Sequence, residues 1–482
     1  MPFDLAASAR DEMIKRGFHP DFPPEATAQI AAIRSHPPAS AVNGIPDLRN
    51  LLWSSIDNSS SRDLDQIEIA ERKSDGIRVL VGVADVDAAV SAGSPLDQHA
   101  RSEATTVYTP ARTFPMLPAE LSTDLTSLNE GADRLAIVIE VLVASDGCVT
   151  ASNISRALVR NHAQLAYETV GPWLEGSAPP PPKLQNSAEL QAQLRLQDEA
   201  ARALRDQRHR RGALEFDRVE ADPIISNGNI TGIAARRNNR AGNLIEDFMI
   251  AANEAIANSL AEQHIPALQR VVASPERWPR IVALAAQNGA TLPAEPDPAA
   301  LAEFLREKKA KDPVRYPDLS LAIVKLLGPG EYAVVTQEGA GSGHFALASH
   351  DYSHSTAPNR RFADLVTQRL VKSAILHAAS PYSQDELTVI AQNCTVKEDA
   401  ARKVERAMDK RAAAAAYHNR IGQSFDAIVT GVKPTGTFVR VLNPPLEGLL
   451  ARGSGGLDVG DQIRVTLVNT DPQRGFIDFA RQ

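Results

Sequence analysis

Between Asp57 and Gln66 the chain reads Asp-Asn-Ser-Ser-Ser-Arg-Asp-Leu-Asp-Gln. Carboxylates at 57, 63 and 65 are separated by small polar residues, which let a chain turn back on itself. Such a segment can gather Asp57, Asp63 and Asp65 around one point. Three convergent carboxylates repel one another unless a cation sits among them. Hard oxygen donors in an acidic loop suit Mg2+, with Mn2+ as the alternative. Acidic residues at this spacing also occur in loops that only face water, so the flanking elements decide. Here a buried stretch, Leu51 to Ile56, precedes the cluster, and the strand-like Ile67-Glu68-Ile69 follows it. Carboxylates at strand ends are held more rigidly than those at a loop tip.

The elements that must carry this loop are legible in outline. A chain of 482 residues is too long for one core and is expected to split into about three domains. Residues 1 to 45 read as helical, over Leu5 to Lys15 and Glu25 to His36, with Pro23 and Pro24 opening the second helix. They form either a small helical cap or a helix-turn-helix unit. Residues 46 to 417 mix strands and helices. Ile77 to Asp87 and Leu135 to Val143 read as buried strands, and Leu190 to Arg211 as a charged helix. Leu244 to Glu262 and Trp278 to Gln287 read as apolar helices, Arg360 to Ala379 as a helix, and Val396 to Tyr417 as a long surface helix. From 418 to 482 short β-rich segments alternate with Gly, Pro and Asn: Phe425 to Val432, Gly436 to Val441, Gly448 to Leu450, Ile463 to Val468 and Gly475 to Phe479. Five such strands in about 60 residues suggest a small closed barrel of OB type. The fold class is thus α+β, in several domains.

Composition narrows the partners. Hydrophobic content of 43% and charged content of 23% are those of a soluble globular protein. No apolar run approaches the ~20 residues of a membrane span. Two widely separated cysteines, Cys148 and Cys394, give no disulfide or zinc framework, so a reduced, cytoplasmic location is expected. The net charge of −8 does not advertise a nucleic-acid binder, although phosphate contacts need only a local basic surface.

Several strings resemble the RNB catalytic domain of RNase II-type exoribonucleases. They are Asp47-Leu48-Arg49, Ile56-Asp57, Asp63-Leu64-Asp65, Ala84-Asp85-Val86, Tyr108-Thr109-Pro110, and Phe114-Pro115-Met116-Leu117-Pro118 with Leu121-Ser122. Further on come the run from Leu244 to Asn253, Gly343-His344-Phe345-Ala346-Leu347, and Thr356 through Arg360-Arg361 to Asp364. They keep the family's order over roughly residues 47 to 375. In the tail, Gly431-Val432, Gly436-Thr437-Phe438-Val439, Glu447-Gly448-Leu449-Leu450 and Val459-Gly460-Asp461 resemble an S1-like RNA-binding domain.

The resemblance implies a 3′-to-5′ exoribonuclease that hydrolyses single-stranded RNA to nucleoside 5′-monophosphates. It implies metal ligation by Asp57, Asp63 and Asp65, with Asp63, Asp65 and Arg360 as the catalytic set. Arg360 matches the arginine that grips the scissile phosphate, where a guanidinium offers two parallel donors. Tyr108 matches an aromatic that clamps the 3′-terminal nucleotide. Glu246 matches an acid beside the last ribose, able to accept from a 2′-hydroxyl. Phe216 stands as a second stacking wall, Arg361 as a further RNA contact, and Phe438, with Phe425, as a stacking surface of the S1-like barrel. Arg236, Arg237 and Arg240 stand as candidates to line an RNA channel. The partner is single-stranded RNA, with no membrane and no obligatory protein partner, and the chain is expected to be a monomer.

Two departures bear on activity. The family has a fourth aspartate directly after the third, where this chain has Gln66, whose amide oxygen can ligate a metal but carries no charge. The alternative function is therefore an RNB protein that binds RNA and is weak or inactive as a nuclease. Bacterial relatives also carry cold-shock-type barrels before the RNB domain, and the 45 residues here are too few and look helical. A DNA regulator using a helix-turn-helix on this scaffold is a third reading.

Overall fold

The computed structural model describes residues 3–36, 44–216, 220–226, 229–236, 238–336 and 343–482. Its centre is a closed five-stranded barrel of β1 (Trp53–Asp57), β2 (Gln66–Lys73), β3 (Gly76–Ala84), β4 (Asp133–Val143) and β5 (Val149–Ala166). Neighbours are antiparallel except where β1 closes the barrel against β5 in parallel, with Ile56 opposite Leu165. The apolar run Val79-Leu80-Val81-Gly82-Val83 follows from burial on both faces of β3, inside the barrel and under helices. Gly82 leaves room in that interior. A Cβ there would lie 3.0 Å from the Ile67 side chain and 3.5 Å from the Trp53 ring.

Helices α1 (Leu5–Lys15) and α2 (Pro24–Ser35) fall close to the expected ranges. They do not pack together as a helix-turn-helix. Met13 and Phe18 join a cluster with Val107, Phe114, Val404 and Met408, whereas Ala26 and Ile30 join the barrel's own cluster. Neither helix has a separate core.

Helix α3 (Ala188–Arg210) lies along β2, and α4 (Arg240–Glu262) along the other strands of the barrel. β2 meets β1 only near Ser54 and Glu68. Beyond that point the Gln193 side-chain amide takes over the Ala70 backbone, accepting from its N–H at 2.6 Å and donating to its carbonyl at 2.7 Å. An edge that would invite another strand is thereby covered. Helices Trp278–Gln287, Pro298–Lys311 and Tyr316–Leu327 enclose a second core around Ile281, Phe304 and Ile323.

Two differences from the sequence reading matter for the site. Helix α5 spans Phe362–Ile375, so Arg360 lies in the turn before it rather than on its first turn. Helix α6 runs Gln384–Tyr417 behind a Ser383/Glu386 capping box, twelve residues earlier than expected, and it is buried along one side as well as exposed along the other. Its Val404 and Met408 pack on α1, and its Ala414 and Tyr417 complete the core of the C-terminal barrel. That barrel is closed and five-stranded, in the order β6 (Ser424–Lys433), β7 (Gly436–Val441), β8 (Glu447–Arg452), β10 (Phe476–Arg481), β9 (Gln462–Asp471). All five expected strands are present.

Behind the turn that carries Arg360 lies an enclosed aromatic nest. The Tyr332 hydroxyl is 2.8 Å from His354 Nδ1, and Tyr352 stands edge-on to both His354 and His344. Burial, followed by Arg270, pushes His344 down to about 4. Burial with Arg361 and Arg270 holds His354 well below its usual value. Both rings are neutral when folded and protonate more readily when unfolded. Their contribution to stability is therefore present above pH ~6.5 and is lost as the pH falls toward ~4. For His344 this amounts to about 3 kcal/mol. His344→Asn, which keeps a side chain able to cap Leu347, should flatten the fall in melting temperature between pH 6.5 and 4. A variant as acid-sensitive as the parent would contradict this.

Candidate active site

Asp57 ends β1 and Gln66 begins β2, so the acidic loop joins two barrel strands. Within the loop, Asp57 Oδ1 accepts from the Asn58 N–H at 2.7 Å and from the Ser61 hydroxyl at 2.9 Å. The Ser61 side chain and the Asn58 backbone thus close a local turn on the Asp57 carboxylate. The loop is also pinned from outside. The Ser127 hydroxyl accepts from the Leu64 N–H at 2.9 Å and donates to the Arg62 carbonyl at 2.8 Å, and the Ala84 N–H bonds the Asp65 carbonyl at 3.0 Å.

The facing wall comes from far along the chain. Helix α5 is fastened to the barrel end by Arg369, at 2.7 Å from both Asp87 and Asp97, and by Lys372, at 3.0 Å from Asp85 and 2.7 Å from Asp87. The turn before α5 pairs with residues 104–106 through Thr106 N–H to Arg360 O (2.9 Å) and Phe362 N–H to Ala104 O (2.8 Å). These bonds set Tyr108 and Arg360 beside the loop.

The arrangement is an open surface over a buried charge. Asp65 is 2% exposed. Its Oδ1 accepts from the Asn359 N–H at 3.1 Å, and its Oδ2 has no hydrogen-bond partner among the described residues and lies 3.6 Å from Arg360 Nε. Arg360 is 44% exposed and Tyr108 41%, and the Tyr108 hydroxyl donates to Asp63 Oδ2 at 2.9 Å. Burial pushes the Asp65 carboxyl up to about 7, against the opposing pull of Arg360, with Asp63 adding repulsion. Burial also raises Asp57, again with repulsion from Asp63. Glu68, fully buried near Asp57, is held well above the usual carboxylate range by burial first and Asp57 second.

Among the described residues, no three acidic, His or Cys side chains already form a metal cage. The donor chemistry nonetheless fits a hard cation. Asp63 raises the proton affinity of both neighbours, and the bare Asp65 Oδ2 is the oxygen that a cation would satisfy.

The other expected residues are distributed unevenly. Gln66 is half-buried, and its side-chain amide has no hydrogen-bond partner among the described residues. Glu246 is exposed on α4, with the Asn238 amide 3.5 Å away. Phe216 packs partly against the second helical core. Arg361 is turned inward, 22% exposed, with Nη2 bonded to Asp364 at 2.7 Å. Arg240 is committed to Asp198. Arg237 and the Arg236 side chain lie outside the described residues. Phe438 is 36% exposed, with Lys433 Nζ 5.8 Å from its ring centre, whereas Phe425 packs edge-on to Tyr417 and Phe479.

Sequence reasoning missed Ser127, Asn359 and Glu405. Asn359 bonds Asp65 through its backbone, accepts from the Thr126 hydroxyl at 2.6 Å, and keeps a buried Nδ2 with no partner among the described residues beside the site. Glu405 on α6 accepts from the Tyr108 N–H at 3.1 Å. No local pattern marks Ser127 or Glu405, because each acts on a residue distant in sequence; Asn359 lies within the Thr356-to-Asp364 string, which does not show its bond to Asp65.

Comparison with known proteins gives a consistent result. Residues 45–377 match the RNB domain, and residues 423–482 the RNase II-type exonuclease C-terminal S1 domain. The chain is 31% identical over 450 residues to Ribonuclease R of Escherichia coli (strain K12), covering 89% of this chain and 54% of that one. It is 28% identical over 493 residues to Ribonuclease R 1 of Lactococcus lactis, covering 95% and 59%. The chain thus spans little more than half the length of these relatives. The solved structure of Mycoplasma genitalium RNase R in complex with ribose methylated single-stranded RNA superposes with a TM-score of 0.86. It is 21% identical, and the match covers 99% of this chain and 78% of that one, so the two share a fold.

Proposed function

The chain belongs to the RNB-domain family, and from that premise we propose that it is a metal-dependent hydrolytic exoribonuclease. It shortens single-stranded RNA from the 3′ end and releases nucleoside 5′-monophosphates, with Mg2+ as the preferred metal and Mn2+ as a second. The observation that carries this reading is the buried, unpartnered Asp65 oxygen 3.6 Å beneath a solvent-open Arg360. A phosphodiester placed on Arg360 comes to lie against the carboxylates that would hold the cation. We also propose action in the cytoplasm, as a monomer, without a membrane or an obligatory protein partner; among the described residues no helix is long and apolar enough to cross a membrane.

Asp57, Asp63 and Asp65, with Gln66 as a neutral fourth donor, would hold the metal. When bound, it supplies positive charge to the phosphate and lowers the pKa of a water. Arg360 grips two phosphate oxygens in its planar fork. Tyr108, steadied by Asp63 and Glu405, clamps the terminal nucleotide. Glu246 accepts from the last ribose, and Phe216 and Phe438 offer stacking faces. A second reading, RNA binding without cutting, draws on the missing charge at Gln66.

Incubating 5′-labelled single-stranded RNA with Mg2+ and with EDTA separates the two readings. A ladder trimmed from the 3′ end, with mononucleotide release, is expected in Mg2+ alone, and binding without shortening would end the nuclease reading. Gln66→Asp should lower the Mg2+ concentration for half-maximal rate by about tenfold, since one more charge joins the site. An unchanged Mg2+ requirement would show that position 66 stands outside the metal's reach.

A further inference from the structure

We propose that a groove between α1, the C-terminal half of α6 and the β9–β10 hairpin is a second single-stranded RNA site. It would hold the strand upstream of the 3′ end, and the proposal rests on the nuclease reading for the identity of that strand. The groove encloses ≈ 300 Å³ and, among the described residues, is lined by six basic side chains, Ala407 and Phe476, with no acidic residue. In a chain of net charge −8, so much charge of one sign is a local feature and not an average property.

The cations are presented in order. Lys403, Arg406 and Lys410 follow i, i+3, i+7 spacing, so they share one face of α6 over about 10 Å of its length. Arg406 and Lys410 are exposed and have no ion pair among the described residues. Lys403 and Arg474 are more than half exposed and, among the described residues, pair only with near neighbours, Asp399 and Asp471. Such surface pairs are weak and yield readily to phosphate. Arg411 is held in place by Glu12 at 3.1 Å.

Phe476 is 54% exposed among these cations. Gly475 makes its position possible. At φ +68° it lets the hairpin press on α6, where a Cβ would lie 2.9 Å from Lys410 Cβ and 3.1 Å from Arg411 N. An open aromatic ring amid spaced cations is the combination that suits stacked bases and a phosphate backbone. An acidic peptide would use the charges and have no need of the ring. The groove is also tied to the site through α6. Glu405, which holds the Tyr108 backbone, precedes Arg406 on the same helix.

The test uses the full chain in EDTA, with single-stranded RNAs of about 5 and about 25 nucleotides, since only the longer can reach both sites. The Lys403→Glu/Arg406→Glu/Lys410→Glu variant should bind the longer RNA at least tenfold more weakly. Its log–log salt dependence should fall by about 2, near 0.7 for each phosphate no longer neutralised. Binding of the short RNA, and its hydrolysis in Mg2+, should stay within twofold. Phe476→Ala, which leaves α6 untouched, should weaken the longer RNA about fivefold or more. Unchanged affinity for the longer RNA in both variants, each folded by its melting curve, would overturn the proposal. So would loss of poly-glutamate binding without loss of RNA binding. A parent that binds both RNAs and cuts neither would overturn the nuclease reading alone, and weaker binding by the variants would still support the groove.

Discussion

Asp65→Asn should leave a folded chain that binds single-stranded RNA about as well as the parent and cuts it roughly 10³-fold more slowly. The amide keeps the shape and still accepts from the Asn359 N–H, but it cannot hold a cation with a full charge. Losing several kcal/mol of charge stabilisation at the phosphate corresponds to a rate loss of about that size. Stability separates this effect from misfolding. The Asp65 carboxyl, pushed up to about 7 by burial, keeps its proton in the folded chain between pH ~4 and ~7, where the unfolded chain has lost it. Without metal, stability therefore falls as pH rises through that window, and the full cost of the buried charge is present above it. In EDTA at pH 8 the asparagine variant should melt no lower than the parent, and at pH 4 the two should converge. Single-turnover trimming and melting curves read both quantities. Parental cutting by the variant would remove Asp65 from the mechanism.

The adjacent arginines should behave oppositely. Arg360→Lys keeps the charge and loses the fork, so cutting should slow by about 10²-fold with little change in melting temperature, the side chain being 44% exposed. Arg361→Ala should instead destabilise the fold by about 3–5 kcal/mol, because it strips the partner from Asp364, whose side chain is 0% exposed. Asp364 also accepts from the Ala357 N–H at 2.8 Å, so the turn that presents Asn359 and Arg360 should loosen as well. If Arg361→Ala lost RNA affinity at unchanged stability, its place would be at the RNA after all.

How legible each part is depends on where its partners lie. β3 is plain in the sequence because both its faces are buried and every residue from Val79 to Val83 is apolar or Gly. β5, the longest strand of the barrel, is not. Its Arg156, Arg160 and Asn161 look like loop residues until Asp85, Asp133 and Ser55 are seen to take them up. The C-terminal barrel is legible because short alternating strands between turn residues have few other solutions. Helix α6 is half-read: its alanines and charges resemble a solvated face, yet α1 and the C-terminal barrel both pack on it. In the site, the loop from 57 to 66 shows its carboxylates but not what fixes them. Ser127 and Asn359 are ordinary residues whose roles arise only once the barrel and α5 have met. Arg361 illustrates the reverse, since the sequence cannot tell which of two neighbouring arginines faces outward.

The bond between Asn359 and Asp65 joins positions 294 residues apart, and that separation has a consequence during synthesis. A growing chain leaves the ribosome with its carboxylates first. Nearly three hundred further residues must follow before Asn359 and Arg360 emerge, and α5 must then dock before either reaches Asp65. Domains assemble in order as they are translated, so no nascent fragment short of that point carries a finished site. The messenger being read is the nearest RNA to the growing chain, and every fragment that emerges before α5 holds the loop carboxylates without Arg360 beside them.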